Sequence, residues 1–179
     1  MKINPVYSGT KNIEGCNDRY GVKVTAYFYV GDKITVGEDF GNNDGSEYVD
    51  DMGSEWQKGH MLAKSLGGDN KLHNLLPMKE EVNNSTFKKV ECFVRTLFDN
   101  LADIQRLCKV RMLHIRYTVE RVLPPIKTVK GHKFPGKFSY SIEFLDENEK
   151  IINSVTLMNS LEEIEITPEV KFSDTFSVD

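Results

Sequence analysis

The sequence predicts an α+β fold, an antiparallel sheet beside one long helix. Three observations carry this. Several stretches alternate apolar and polar residues with the period of two that a half-buried strand requires. One stretch, from about Glu80 to Asn100, instead repeats Phe87, Val90, Val94, Leu97 and Leu101 at spacings of three and four, the stripe of an amphipathic helix. And the order (strands, loop, strand, helix, strands) keeps the helix apart from the strand runs instead of alternating with them.

Taken in order, "YGVKVTAYFYVGDKITVGEDF" at 20–40 is rich in Val, Tyr, Phe, Ile and Thr around a Gly-Asp pair, which predicts a hairpin. Residues 41–56 are acidic, glycine-rich and aperiodic, which predicts a loop. "KGHMLAKSL" at 58–66 reads as extended, and "GGDNKLHNLLPMK" at 67–79 as a second loop that Pro77 closes. After the helix, residues 108–122 set Leu113, Ile115, Tyr117 and Val119 on one face of a strand, with Met112, His114, Arg116 and Thr118 on the other. A basic loop is expected over 123–137, a hairpin around "DENEK" within 138–158, and one more strand near "EIEITPEV" in the acidic tail. No repeat or linker divides the chain, so residues 1–179 read as one domain.

Composition narrows the function. The 39% apolar and 28% charged content is that of an ordinary globular protein. No apolar run approaches the roughly 18 residues of a membrane span, and the first residues lack the apolar stretch of a signal peptide. Cys16, Cys92 and Cys108 match neither a disulfide framework nor a zinc-site spacing and read as free thiols. The net charge of −4 conceals three blocks. Residues 1–57 carry 5 Lys and Arg against 10 Asp and Glu, residues 58–137 carry 16 against 7, and residues 138–179 carry 2 against 10. A basic middle block suits a polyanion such as nucleic acid, although a solvated basic face gives the same count.

Cutting a phosphodiester needs a base near neutral pH and a hard cation or fixed positive charges. Histidine meets the first need, and His60, His73, His114 and His132 are the four available. Mg²⁺ takes oxygen ligands, few of them from the protein, so an Asn carbonyl can serve when the substrate brings the negative charge. Asn83 falls near the helix start, where phosphate is also favoured. Glu91 falls eight residues on, about 80° around a regular helix and ~12 Å along it. Lys64, Lys88, Lys89 and Arg95 are candidates for phosphate contacts. Each residue has a plainer use: His60 as a satisfied strand histidine, Asn83 as a helix cap, Glu91 as a solvated helix residue, Asn74 as a turn residue. Their co-occurrence within 32 positions at the head of the basic block favours the joint reading.

That stretch, "KGHMLAKSLGGDNKLHNLLPMKEEVNNSTFKKVE", resembles the core motif of the DNA/RNA non-specific endonucleases of the ββα-metal (His-Me finger) superfamily. The match runs through Gly59-His60, Met61-Leu62-Ala63, Gly67-Gly68, Asn74-Leu75 with Pro77, Asn83 and Glu91, about a fifth of the chain. The resemblance implies a metal-finger core at about 58–100 in which His60 activates water. It further implies that Asn83 binds one Mg²⁺ (or Mn²⁺), Glu91 holds a metal-bound water and Asn74 braces the loop. Cleavage would leave 5′-phosphate ends on DNA, with RNA as a possible second substrate. The family's usual Asp-Arg before Gly-His is Gln57-Lys58 here, so Lys58 keeps the charge but lacks the bidentate grip of Arg. His73 falls at a position the pattern leaves free and reads as a surface residue. His114, His132 and the basic stretch from Arg111 to Lys137 lie beyond the match and are candidates for substrate contacts or plain surface.

Many nucleases of this kind are similar to bacterial toxin domains, delivered within a longer protein into the cytoplasm of another cell and met there by a cognate immunity or inhibitor protein. The rival reading is a non-catalytic nucleic-acid- or protein-binding module that keeps the finger as scaffold. Other hydrolases are disfavoured, since the chain has no Gly-x-Ser-x-Gly, Gly-x-x-x-x-Gly-Lys or His-Glu-x-x-His motif.

Overall fold

The structure, a computed structural model, describes residues 5–7, 9–12, 19–41, 45–160 and 166–172. It is α+β. Six antiparallel strands form the main sheet: β1 (Val6–Tyr7), β4 (Lys23–Tyr29), β7 (His114–Val129), β8 (His132–Leu145), β9 (Ile151–Ser160) and β10 (Ile166–Phe172), adjacent in that order. Two small hairpins stand apart from it, β2 (Thr10–Asn12) with β3 (Arg19–Gly21) and β5 (Trp56–His60) with β6 (Leu75–Lys79). The helices are α1 (Tyr48–Met52), α2 (Glu80–Val82), α3 (Lys88–Asp99) and α4 (Leu101–Cys108), with one π-helical turn, Asn83–Phe87, joining α2 to α3. No described helix is long and apolar enough to cross a membrane.

The β5–β6 hairpin and the α2–α3 helix dock on one face of the sheet through the stripe read from the sequence. Phe87, Val90, Val94 and Leu101 are all buried, as are Ile115, Tyr117 and Val119 of β7. Phe87 meets Phe138 edge-on at 5.3 Å between ring centroids, and Trp56 meets Phe134 at 4.9 Å, so aromatic contacts tie the hairpin and helix to β8.

Four expectations are corrected. The hairpin at 20–40 has only its first strand. Beyond the turn, where Asp32 N–H meets the Tyr29 carbonyl at 3.1 Å, only Lys33 makes a single β-bridge, and residues 34–40 join no sheet and run as a strap toward the β5–β6 hairpin. The 41–56 loop contains α1 and ends in the first residue of β5; residues 42–44 lie outside the described ones. The loop at 67–79 ends in β6, where Pro77 faces Lys58; a two-stranded ribbon has only edge strands, which tolerate the missing N–H. The basic loop at 123–137 is instead the far half of a long β7–β8 hairpin, with a register shift between Val122 and Ile126 that takes up the Leu-Pro-Pro run. The last strand is present as β10, though residues 163–165 of the expected stretch are outside the described ones.

Candidate active site

His60 is the last residue of β5 and is half-buried. Its Nε2 lies 2.9 Å from the Glu38 carbonyl on the strap, and the Phe40 ring covers it at 4.5 Å. A carbonyl only accepts, so Nε2 carries the proton and Nδ1 is left with its lone pair. Burial holds the imidazole below its ordinary pKa, and the Glu38 hydrogen bond and the Asp39 charge oppose that shift. A neutral ring with an open acceptor is what a general base needs.

Asn74 is fully buried beneath this histidine. Its Oδ1 accepts from Leu62 N at 2.8 Å, and its Nδ2 donates to the carbonyls of Leu62 at 3.0 Å and Asp69 at 2.8 Å. One amide thus cross-links both ends of the turn after His60. The turn is tight because of the Gly67-Gly68 pair: Gly67 has φ +92°, and a Cβ on Gly68 would lie 1.7 Å from the Leu62 carbonyl oxygen.

A cleft of about 540 Å³ opens beside this turn, lined by Val36, Asp39, Lys64, Ser65, Asn83, Asn84, Lys88, Glu91 and Arg95. Asn83, Glu91, Lys64, Lys88 and Arg95 were all legible candidates, and the fold brings them to one place. Lys88, Glu91 and Arg95 follow helical spacing along one face. Asn83 joins them through the π turn. A regular helix sets Asn83 and Glu91 about 80° apart, but a π turn absorbs one extra residue, leaving them within about 20°. Ser85 Oγ donates to the Glu81 carbonyl in this segment, a back-bond that competes with the helical N–H and accounts in part for the wider turn.

The amide of Asn83 is oriented by Gln57, whose Oε1 accepts from Asn83 Nδ2 at 2.7 Å. Asn83 Oδ1 is therefore the atom free to bind a cation. Gln57 stands where the resembled motif has an aspartate, and it keeps the one property used here, an oxygen acceptor. Burial raises the Glu91 carboxyl to about 7, against the pull of Lys88. Among the described residues no three His, Cys, Asp or Glu side chains are placed to hold a metal ion.

Other candidates fall elsewhere. Lys58 shares a face of β5 with His60, but its ammonium is largely covered and turned to Asp50 at 2.9 Å and the Gly41 carbonyl at 3.4 Å. Lys89 is exposed and does not line the cleft. His73 is no plain surface residue: its Nε2 meets Asp69 Oδ2 at 2.8 Å and its ring lies 4.2 Å from that of Tyr7. His114 is fully buried, stacked on Tyr29 at 4.7 Å with Glu149 3.4 Å away, so it cannot touch substrate. His132 lies 5.6 Å from the Tyr48 ring, and none of the described side chains from Arg111 to Lys137 lines the cleft. The residues that sequence reasoning missed are those of the strap, chiefly Glu38, Asp39 and Phe40. Their β-like composition signalled a strand and nothing of a site.

No curated protein matches the chain. Residues 39–112 match the family model described as DNA/RNA non-specific endonuclease, a span that takes in β5, β6 and the whole helical segment. Over that span, under half of its length, the chain is similar to the DNA/RNA non-specific endonucleases, a nuclease family whose substrate is nucleic acid.

Proposed function

We propose that this protein is a metal-dependent endonuclease that hydrolyses phosphodiester bonds of DNA, and of RNA where the strand fits the same cleft. The observation that carries the reading is the His60 ring, whose Nε2 is committed to the Glu38 carbonyl so that Nδ1 is the acceptor; His60 itself does not line the cleft, but its neighbours Asp39 and Lys64 do, with the amides of Asn83 and Asn84, the Glu91 carboxyl, Lys88 and Arg95.

In this reading Nδ1 of His60 takes the proton from the attacking water. Asn83 Oδ1 would hold Mg²⁺ or Mn²⁺, and Glu91 would orient water beside it. The cation, when bound, supplies charge stabilisation for the phosphate and the leaving oxygen. Gln57 fixes the Asn83 amide, and Asn74 keeps His60 at the end of β5. Lys64, Lys88 and Arg95 bind flanking phosphates without reading bases, and affinity falls with salt through the contacts that release counterions. Lys58, tied to Asp50, supports the hairpin and does not grip phosphate.

The test is cleavage of supercoiled plasmid and of total RNA by the purified chain in Mg²⁺, in Mn²⁺ and in EDTA, beside His60→Ala. Metal-dependent cutting that disappears in the variant supports the assignment. A folded chain that cuts neither polymer in either metal overturns it in favour of a binding module.

A further inference from the structure

The strap engages the site at five consecutive residues. Val36 lines the cleft. Gly37 N–H donates to the Lys64 carbonyl at 2.9 Å, and its Cα packs so closely that a Cβ would lie 1.7 Å from the Gly68 carbonyl oxygen. Glu38 accepts from His60, and Phe40 covers the imidazole. Between these anchors, Asp39 pairs with Lys64. The backbone on either side of Asp39 is thus held, while its carboxylate is 76% exposed and free to swing.

An exposed ion pair contributes little to stability. Its position gives it another consequence. Asp39 and Lys64 line the same cleft as Asn83 and Glu91, and both charges act on His60. If that cleft binds nucleic acid as proposed, a carboxylate on Lys64 occupies the place a backbone phosphate would take.

We propose that Asp39 is an internal competitor for nucleic acid: it neutralises Lys64 in the free protein and is displaced when a phosphate binds there. The inference rests on the nuclease reading and adds to it a residue that sets affinity and salt response. Displacement leaves Asp39 without its cation and facing a polyanion, so Lys64 contributes almost no net counterion release. Removing the carboxylate restores that contribution.

The experiment is equilibrium binding of a short DNA duplex across a salt series, with EDTA to prevent cutting, by the wild-type chain, Asp39→Asn, Lys64→Ala and the double variant. Asp39→Asn is expected to bind roughly 2- to 5-fold tighter at low salt. Its log–log salt slope is expected to be steeper by about 0.9. The double variant is expected to lose both gains. Wild-type binding with an unchanged Asp39→Asn affinity and slope overturns this proposal and leaves the nuclease reading intact. No duplex binding by any of the folded chains overturns both.

Discussion

His60 and Asn74 divide the work at the scale of single residues: one presents a lone pair, the other holds the turn that presents it. Phe40 adds the burial that depresses the imidazole pKa. On the proposed reading His60 accepts a proton and must be neutral, so activity is expected to fall as pH drops through that depressed pKa, below the ordinary value of ~6.5. Phe40→Ala exposes the ring and is expected to shift the acid limb of kcat/KM upward toward ~6.5, read from a pH–rate profile. Asn74→Ala leaves the Leu62 N–H and C=O buried without partners. It is expected to cost roughly 2–4 kcal/mol in chemical denaturation, with activity falling in the same variant. Both positions were partly legible, because a Gly-His pair followed by a Gly-Gly turn and Asn-Leu is a motif. The tautomer was not, since it depends on a carbonyl 22 positions away in sequence.

Among elements, the helix was read correctly in existence and in buried face, because a stripe at spacings of three and four survives a local change of pitch. The π turn was invisible to that periodicity, and it decides the site by bringing Asn83 and Glu91 to one side. The strap failed for the opposite reason. Ile34, Thr35 and Val36 have strand propensity, but no neighbouring strand offers them a ladder, and their contacts are with the turn after His60. The hairpin's hold on the proposed metal ligand, Asn83, lies in the Gln57–Asn83 hydrogen bond. Gln57→Ala frees the Asn83 amide to rotate and is expected to raise the Mg²⁺ needed for half-maximal cleavage by roughly 10- to 100-fold. Gln57→Asp keeps an acceptor and is expected to stay near the wild type in the same titration.

Across the whole molecule, folding redistributes the three charge blocks. Acidic residues from outside the basic block neutralise part of it: Asp39 on Lys64, Asp50 on Lys58, Glu143 on Arg116 at 2.6 Å. The surplus counted along the sequence therefore overstates the basic surface, and the cleft face of α3 retains the useful part. Lys88 lines the cleft and has no ion-pair partner within 4.0 Å among the described residues, whereas Arg95 shares its guanidinium with Asp99. Lys88→Ala is expected to weaken duplex binding and to flatten its salt slope by about 0.9, while Lys89→Ala leaves the slope unchanged. Fold class and five cleft residues could thus be read from one sequence. The charge balance of the site could not, because it is made by pairing between distant segments.

The central claim is that His60 is the base, and single-turnover plasmid cleavage in Mg²⁺ from about pH 5 to 8 tests it most directly, comparing the wild type with His60→Ala. The wild-type rate is expected to rise through an apparent pKa below ~6.5 and then level off. The variant, folded by circular dichroism, is expected to be slower by about 10²- to 10⁴-fold and to lose that limb. Cutting by the variant at the wild-type rate with the same pH limb would contradict the account.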